Sequence, residues 1–240
     1  MKYIAKKLKL FVLAFLKPRK YSKVTQDWQE FWNEKALSDD SSAASGRPGL
    51  EPQIFQFIAQ DIKLKLKLGG RDSVLDIGCN LGDITALISD DVHDITGIDI
   101  SENAIQSAQK KYGNQNIIFL NEELPVHANR GRRYDAVIVY SVLHYLKWKT
   151  AAKKFLDNVT SICNPSARIL IGDIPFKEFY NEKYNHKWLI MTQKELLAYV
   201  KSLPGVETAV ILEQPNHLPS FDYRRDLLIH MSPGFGAKDI

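Results

Sequence analysis

The sequence predicts an α/β domain, a doubly wound and mostly parallel sheet of seven strands, with a helical extension at its N-terminal side. Two observations carry this expectation. Short apolar runs alternate with segments of helical periodicity from residue 73 to residue 231, as in a sheet covered by helices on both faces. The 240 residues, 45% of them hydrophobic, contain neither an internal repeat nor a long linker, which suits one sizeable core with appendages.

Each element has its own signal. Ile54, Phe57, Ile58, Ile62 and Leu66 recur at helical spacing, although "KLKLKL" alone alternates like a strand, and the spacing predicts a helix that stops at Gly69-Gly70. Strands follow at 73–77, 94–99, 116–120, 134–140, 167–173, 206–213 and 225–231. Helices are expected at 82–90, 101–112, 150–162 and 193–201. Ser101 is a good N-cap directly after the strand ending at Asp99. Thr192 and Glu195 have capping-box spacing ahead of Leu196 and Leu197.

Charge divides the chain. The formal net charge is +4, yet the first 23 residues hold eight cations and no acid, which leaves 24 cations against 28 acids in the rest. A basic segment on a mildly acidic body argues against nucleic acid as partner. On a helical wheel Ile4, Leu8, Phe11, Val12, Phe15 and Leu16 share one face, opposite Lys2, Lys6, Lys9 and Lys17. That pattern fits a helix lying on an anionic membrane surface, or one docked on its own domain or a second subunit. The apolar run Leu10–Leu16 is too short to span a bilayer. Cys79 and Cys163 fit no disulfide framework or zinc spacing and suit a reducing compartment. The expected organisation is a basic amphipathic segment over 1–23, a linker and cap over 24–49, and one domain over 50–240. Its expected place is the cytoplasm, with residues 1–23 at the inner face of the membrane.

The stretch "SVLDIGCNLGDIT" holds the strongest signal. Strand, then Gly78, Asn80 and Gly82, then helix, is a geometry that brings backbone N–H groups near a ligand. A dinucleotide fingerprint spaces its glycines differently, and Asp76 places a carboxylate where a pyrophosphate would be repelled and an ammonium group attracted. Asp99 closes the next strand, where an acidic side chain can accept both hydroxyls of a ribose. A ligand with a ribose and a cationic amino-acid end is implied.

At these residues the chain resembles the class I S-adenosylmethionine-dependent methyltransferases. "VLDIGCNLG" is similar to their first motif, "ITGIDIS" to their second, "FLNEELP" to their adenine-contacting segment, and "YDAVIVYSVLHYL" to the strand and turn below the transferring methyl. The resemblance covers about residues 50 to 231 and implies the Rossmann-like methyltransferase fold, with a final antiparallel strand in "RDLLIHM". It implies S-adenosyl-L-methionine as cofactor, with Asp76, Gly78, Asn80 and Gly82 around its methionine portion. Asp99 would hold the ribose, Asn121 or Glu122 would meet the adenine, and Cys79, Ile100 and Tyr140 are further candidate cofactor contacts. Asn80 departs from the commoner middle glycine. The Cys79 side chain itself reads as a small packing residue.

For the acceptor, methyl transfer is an in-line displacement governed by alignment, and a base matters where the acceptor is a poorly ionised hydroxyl. His144 and Asp173, at strand ends, are the candidate catalytic residues. Alternatively, His144 packs beneath the cofactor and Asp173 stabilises a loop. "PFKEFYNEKYNHKWLIM" brings Tyr180, Tyr184 and His186, with Phe176, Phe179 and Trp188, to the ligand end; with Tyr145 they suit a lid that stacks on sugar or ring faces. A helical insertion packing the same rings inward is the other reading. Arg47 is a candidate to close over the cofactor carboxylate. No metal is expected.

Base-amino and cytosine-C5 methyltransferase elements are missing, since "YSVL" stands where the former carry Asp/Asn-Pro-Pro-Tyr and no cysteine lies in that turn. A small-molecule or glycan acceptor is expected, with O-methylation of a sugar or sugar-linked intermediate first. This preference follows a resemblance of "GDIP", "YSVLHYL" and "RRDLLI" to bacterial methyltransferases associated with surface polysaccharide. A lipid or aromatic metabolite as acceptor, or a non-catalytic cofactor-binding scaffold, are the alternatives.

Overall fold

The computed structural model describes residues 21–38, 41–44, 51, 53–113, 116–128, 130–146, 149–179, 191–218 and 221–235. Among the described residues two helices come first, α1 (Tyr21–Lys35) and the single turn α2 (Ser41–Ala44), followed by α3 (Gln53–Leu66). The sheet then builds through β1 (Ser73–Ile77), α4 (Asp83–Ser89), β2 (Asp94–Asp99), α5 (Glu102–Tyr112), β3 (Ile117–Asn121), α6 (Leu124–Ala128) and β4 (Tyr134–Tyr140). A 3₁₀ turn at Leu143–Tyr145 leads to α7 (Lys149–Ser161), β5 (Cys163–Pro175), a second 3₁₀ turn at Lys177–Phe179, α8 (Gln193–Lys201), β6 (Val206–Glu213) and β7 (Arg224–Met231).

The strand order is β3-β2-β1-β4-β5-β7-β6, with β7 antiparallel to both of its neighbours and the other pairings parallel. Order reverses between β1 and β4, so the crevice beyond their carboxyl ends is where this architecture takes a ligand. Strand alternation divides the core into two apolar layers. Leu75, Val137 and Ile169 face α7 and α8, whereas Val74, Ala136 and Leu170 face α3, α4 and α5. Asp76 lies two residues beyond Val74 and so on the second face, a carboxylate in a row of apolar positions.

β1, β2, β4, β6 and α8 stand at the residues expected from sequence. Thr192 and Glu195 form both halves of the capping box, and the Ser101 hydroxyl caps α5 by accepting from Ala104 N.

Three differences have physical causes. α3 stops short of Gly69 because Lys67 adopts a left-handed φ of 49°, closed by bonds from Lys67 N to Leu64 O and from Leu68 N to Lys63 O. These two bonds are the Schellman pattern, with lysine at the position glycine usually takes. β5 outruns the expected 167–173, since it pairs with β4 from Cys163 and with β7 as far as Pro175. α6 was unexpected; Pro125 lies in its first turn, where a missing N–H costs no helical bond.

α1 begins inside the segment expected over 1–23 and runs through much of the stretch read as linker and cap. Among the described residues no helix is long and apolar enough to cross a membrane.

Candidate active site

The turn after β1 is built for close packing and for holding Asp99. Gly78, Asn80 and Gly82 have φ values of 79°, 50° and 79°, the left-handed region where a side chain is strained. A Cβ on Gly82 would also lie 2.7 Å from Phe119 Cζ. Sequence reasoning expected the turn's amides to face a ligand, and the structure corrects this. Gly78 N and Cys79 N donate to Ile98 O, Asn80 N to Asp99 Oδ2, Leu81 N to Asn80 Oδ1, and Gly82 N to Cys79 O. Five consecutive donors are thus committed inside the protein. Such a turn is no anion nest.

What the crevice offers instead is carboxylate. Asp76 is 4% exposed and accepts from Thr85 Oγ1 at 2.6 Å. Burial, helped by the charge of Asp99 and opposed by the Thr85 bond, pushes its carboxyl from 3.8 up to about 6. Asp99 is 9% exposed and accepts from Asn80 N at 3.0 Å on one oxygen and from Ser101 N at 2.8 Å on the other. Burial raises its pKa, while the amides of Ser101, Asn80 and Ile100 pull it back. A carboxylate accepts about four hydrogen bonds, so Asp99 is oriented by these amides and retains capacity for donors from a ligand. Two buried carboxylates beside a turn whose amides are occupied suit a ligand that brings hydroxyl and ammonium donors.

Around this centre the other candidates divide. Cys79 is buried with its Sγ against Gly97, where a Cβ would come within 2.9 Å. Burial and the charges of Asp99 and Asp76 push its thiol well above the usual range, which keeps it an unreactive packing group. Asn121 Nδ2 donates to Asp99 O at 3.0 Å. Glu122 pairs with Arg130 and lies 2.9 Å from His127 Nδ1, and despite partial burial these partners lower its pKa. Tyr140 packs its ring over Gly172, where a Cβ would meet Cδ2 at 2.3 Å, and its hydroxyl accepts from Gln214 Nε2 at 3.3 Å.

His144 is buried in the 3₁₀ turn after β4, its ring 4.3 Å from that of Tyr145. Val142, in the same turn, meets the position a Cβ on Gly78 would take, so His144 follows directly on the β1–β4 crevice. Asp173, at the end of β5, has φ 61° and sits at an irregularity in the β5–β7 register between Ile171 and Ile174. Its side chain pairs with Ser141, itself at φ 59°, and its carbonyl accepts from Arg224 Nη1 at 2.7 Å. Bulges and left-handed non-glycine residues are held in place only by surrounding bonds and gather at functional sites. Tyr180, Tyr184, His186 and Trp188, with Arg47 and residues 1–20, lie outside the described residues.

Two contributors escaped sequence reasoning. Asp226, fully buried on β7, accepts from Asp173 N at 2.9 Å, Gln214 Nε2 at 3.0 Å and Lys65 Nζ at 2.7 Å, and so fixes the β5 bulge. α1 sets Trp28 and Trp32 edge-on to Tyr145, with ring centroids 4.9 and 5.4 Å away. The i, i+3, i+4 recurrence of Trp28, Phe31 and Trp32 was a readable helical signal for this segment.

Residues 75–169 match the Methyltransf_12 family, described as a methyltransferase domain. Nodulation protein S of Azorhizobium caulinodans is 28% identical over 111 residues, which are 45% of this chain and 53% of that protein. Ubiquinone biosynthesis O-methyltransferase of Coxiella burnetii is 24% identical over 157 residues, 65% of this chain and 60% of that protein. The chain thus spans between half and two thirds of the length of these curated relatives. The N-methyltransferase NodS from Bradyrhizobium japonicum WM9, solved in complex with S-adenosyl-L-homocysteine, superposes with a TM-score of 0.65 at 15% identity, over 85% of this chain and 97% of that one. By strand order and by these likenesses, the chain has the Rossmann-like methyltransferase fold.

Proposed function

We propose that the protein is an S-adenosyl-L-methionine-dependent methyltransferase acting on a small-molecule acceptor, with residues 50–240 as its catalytic domain and 24–49 as a cap. The observation that carries this reading is the pairing of buried Asp76 and Asp99 at the carboxyl ends of β1 and β2, beside a turn whose amides are already bonded. When bound, the cofactor supplies an electrophilic methyl on a sulfonium. Asp76 receives its ammonium group, which restores the charge that burial disfavours. Asp99, oriented by Asn80 and Ser101, receives the ribose hydroxyls, and Asn121 and Glu122 border the adenine.

On the acceptor side, His144 takes the proton from an attacking hydroxyl, and Tyr145, Tyr180, Tyr184 and His186 are the residues assigned to acceptor binding, whereas Phe176 is buried in the core and Phe179 packs against it. The acceptor is a sugar or sugar-linked intermediate. Aromatic faces stack on sugar rings, and a near-neutral imidazole suits removal of a hydroxyl proton. The basic face of residues 1–23 holds the protein at an anionic membrane surface, where a lipid-linked acceptor would be presented.

The test is turnover. Full-length protein is incubated with S-adenosylmethionine and a panel of hydroxyl and amino sugars, free and lipid-linked, and product is read by mass spectrometry. Methylated hydroxyl sugars support the reading. Methylation of amines alone replaces the acceptor assignment, and no consumption of S-adenosylmethionine with any acceptor favours a cofactor-binding scaffold.

A further inference from the structure

The N-terminal cap reaches Asp99 from two directions. Ser101, whose amide holds one Asp99 oxygen, donates its hydroxyl to Asn33 Oδ1 at 2.9 Å. Asn33 Oδ1 also accepts from Asn103 N at 3.3 Å, and its carbonyl accepts from Asn103 Nδ2 at 3.1 Å. Asn33 is therefore pinned across the first turn of α5, where backbone donors lack helical partners. On the other side Asn80, whose amide holds the second Asp99 oxygen, donates Nδ2 to Ala44 O at 3.4 Å. Ala36, Ala44, Leu81 and Ala104 bury together between these two contacts. Each oxygen of one carboxylate is thus held by a residue that is itself bonded to the cap.

The same helix extends to the acceptor side. Trp32 immediately precedes Asn33 and Trp28 lies one turn before Trp32, and both rest on Tyr145, the residue after His144. α1 spans the two halves of the site.

We propose that Asn33 is a positioning residue for the Asp99 carboxylate, and that α1 couples occupancy of the cofactor pocket to the acceptor side through the contacts of Trp28 and Trp32 with Tyr145. This rests on the cofactor reading above. A ligand that bonds to Asp99 favours the arrangement in which Ser101 and Asn80 are held, and that arrangement is the one with α1 docked. Linkage makes the effect reciprocal, since docking of α1 must tighten the cofactor by the same factor by which the cofactor favours docking. The two-state element is α1 itself, docked or released. From Asp27 to Lys35 every side chain of α1 is half-buried or exposed, which places it among the segments that open locally.

The test uses the full chain with S-adenosylhomocysteine as probe. Affinity is measured by calorimetry for wild type, Asn33→Ala, Asn33→Asp and the exposed control Glu34→Ala, and hydrogen exchange is followed with and without the probe. Asn33→Ala should weaken binding roughly tenfold, the scale of a lost neutral hydrogen bond. Asn33→Asp keeps the acceptor oxygen and should restore most of the affinity; Glu34→Ala should match wild type. In wild type the probe should slow exchange across residues 27–38. If Asn33→Ala does not fold, that exchange measurement decides alone, and unchanged protection of 27–38 overturns the inference. Equal affinity in Asn33→Ala overturns it too, as does a parallel loss of stability and affinity that Asn33→Asp fails to restore, the mark of a simple brace. A wild-type protein that does not bind the probe removes the cofactor reading and this inference together.

Discussion

Replacing Asp76 by Asn should make the ligand-free protein more stable at neutral pH while removing its cofactor affinity. Burial pushes the Asp76 carboxyl from 3.8 to about 6. Far below 3.8 the group is protonated whether the chain is folded or not, and its titration costs nothing. Between 3.8 and about 6 the folded protein keeps a proton that the unfolded chain has lost, so stability declines as pH rises through that window. Above it the folded state carries a buried anion at a standing cost of roughly 3 kcal/mol, from about 1.4 kcal/mol per tenfold in proton affinity. Asn is neutral and nearly isosteric, and its Oδ1 still accepts from Thr85. Urea unfolding of both proteins should give a difference in favour of the variant of roughly 0.5 kcal/mol at pH 4, rising to about 3 kcal/mol at pH 7.5. The pH dependence is the cleaner observable, because an unpartnered Asn amide would lower the gain by a pH-independent amount. Parallel pH profiles for the two proteins would refute the assignment of a strained carboxylate to Asp76. A variant as tight as wild type for S-adenosylhomocysteine would refute its role as ammonium acceptor.

His144→Ala should lower turnover by roughly 10² while leaving cofactor affinity nearly unchanged; retained turnover, or joint loss of affinity and stability, assigns the ring to packing. Removal of residues 1–20, which leaves α1 intact, should abolish flotation with anionic liposomes. The full chain should float and be partly released by salt, since each basic residue contributes about 1 kcal/mol near such a surface and that attraction is screened. A full chain that stays in solution with anionic lipid, or a truncated one that loses its fold, makes the segment a docking helix instead.

The parts of the fold legible in the sequence were those in which local pattern and tertiary context agree. β1, β2 and β4 are buried on both faces and read as apolar runs, and the caps at Ser101 and Thr192 have local chemistry that non-local contacts do not override. As candidate site residues Asp76 and Asp99 stood out because a carboxylate ending an apolar strand is costly unless something uses it. What escaped was set by contacts distant in sequence. The left-handed φ of Ser141 and Asp173 depends on their mutual bond and on Asp226, which lies 53 residues beyond Asp173. No local signal announces a bulge held in that way. Asn33 was invisible for the same reason, since its partners Ser101 and Asn103 lie 68 and 70 residues away. The turn after β1 shows the limit of spacing arguments. Its glycines marked the site, but which way its amides point depended on Ile98 and Asp99.

The central claim is that Asp99, held by Asn80 and Ser101 at the end of β2, binds the cofactor's ribose. It is tested most directly by calorimetric titration of the full-length protein and Asp99→Ala with S-adenosylhomocysteine at pH 7.5. Wild type should bind with micromolar affinity, and the variant should lose about 1.5 to 3 kcal/mol, the scale of a charge-assisted hydrogen bond. Absence of binding by the wild-type protein, or equal affinity in the folded variant, would contradict it.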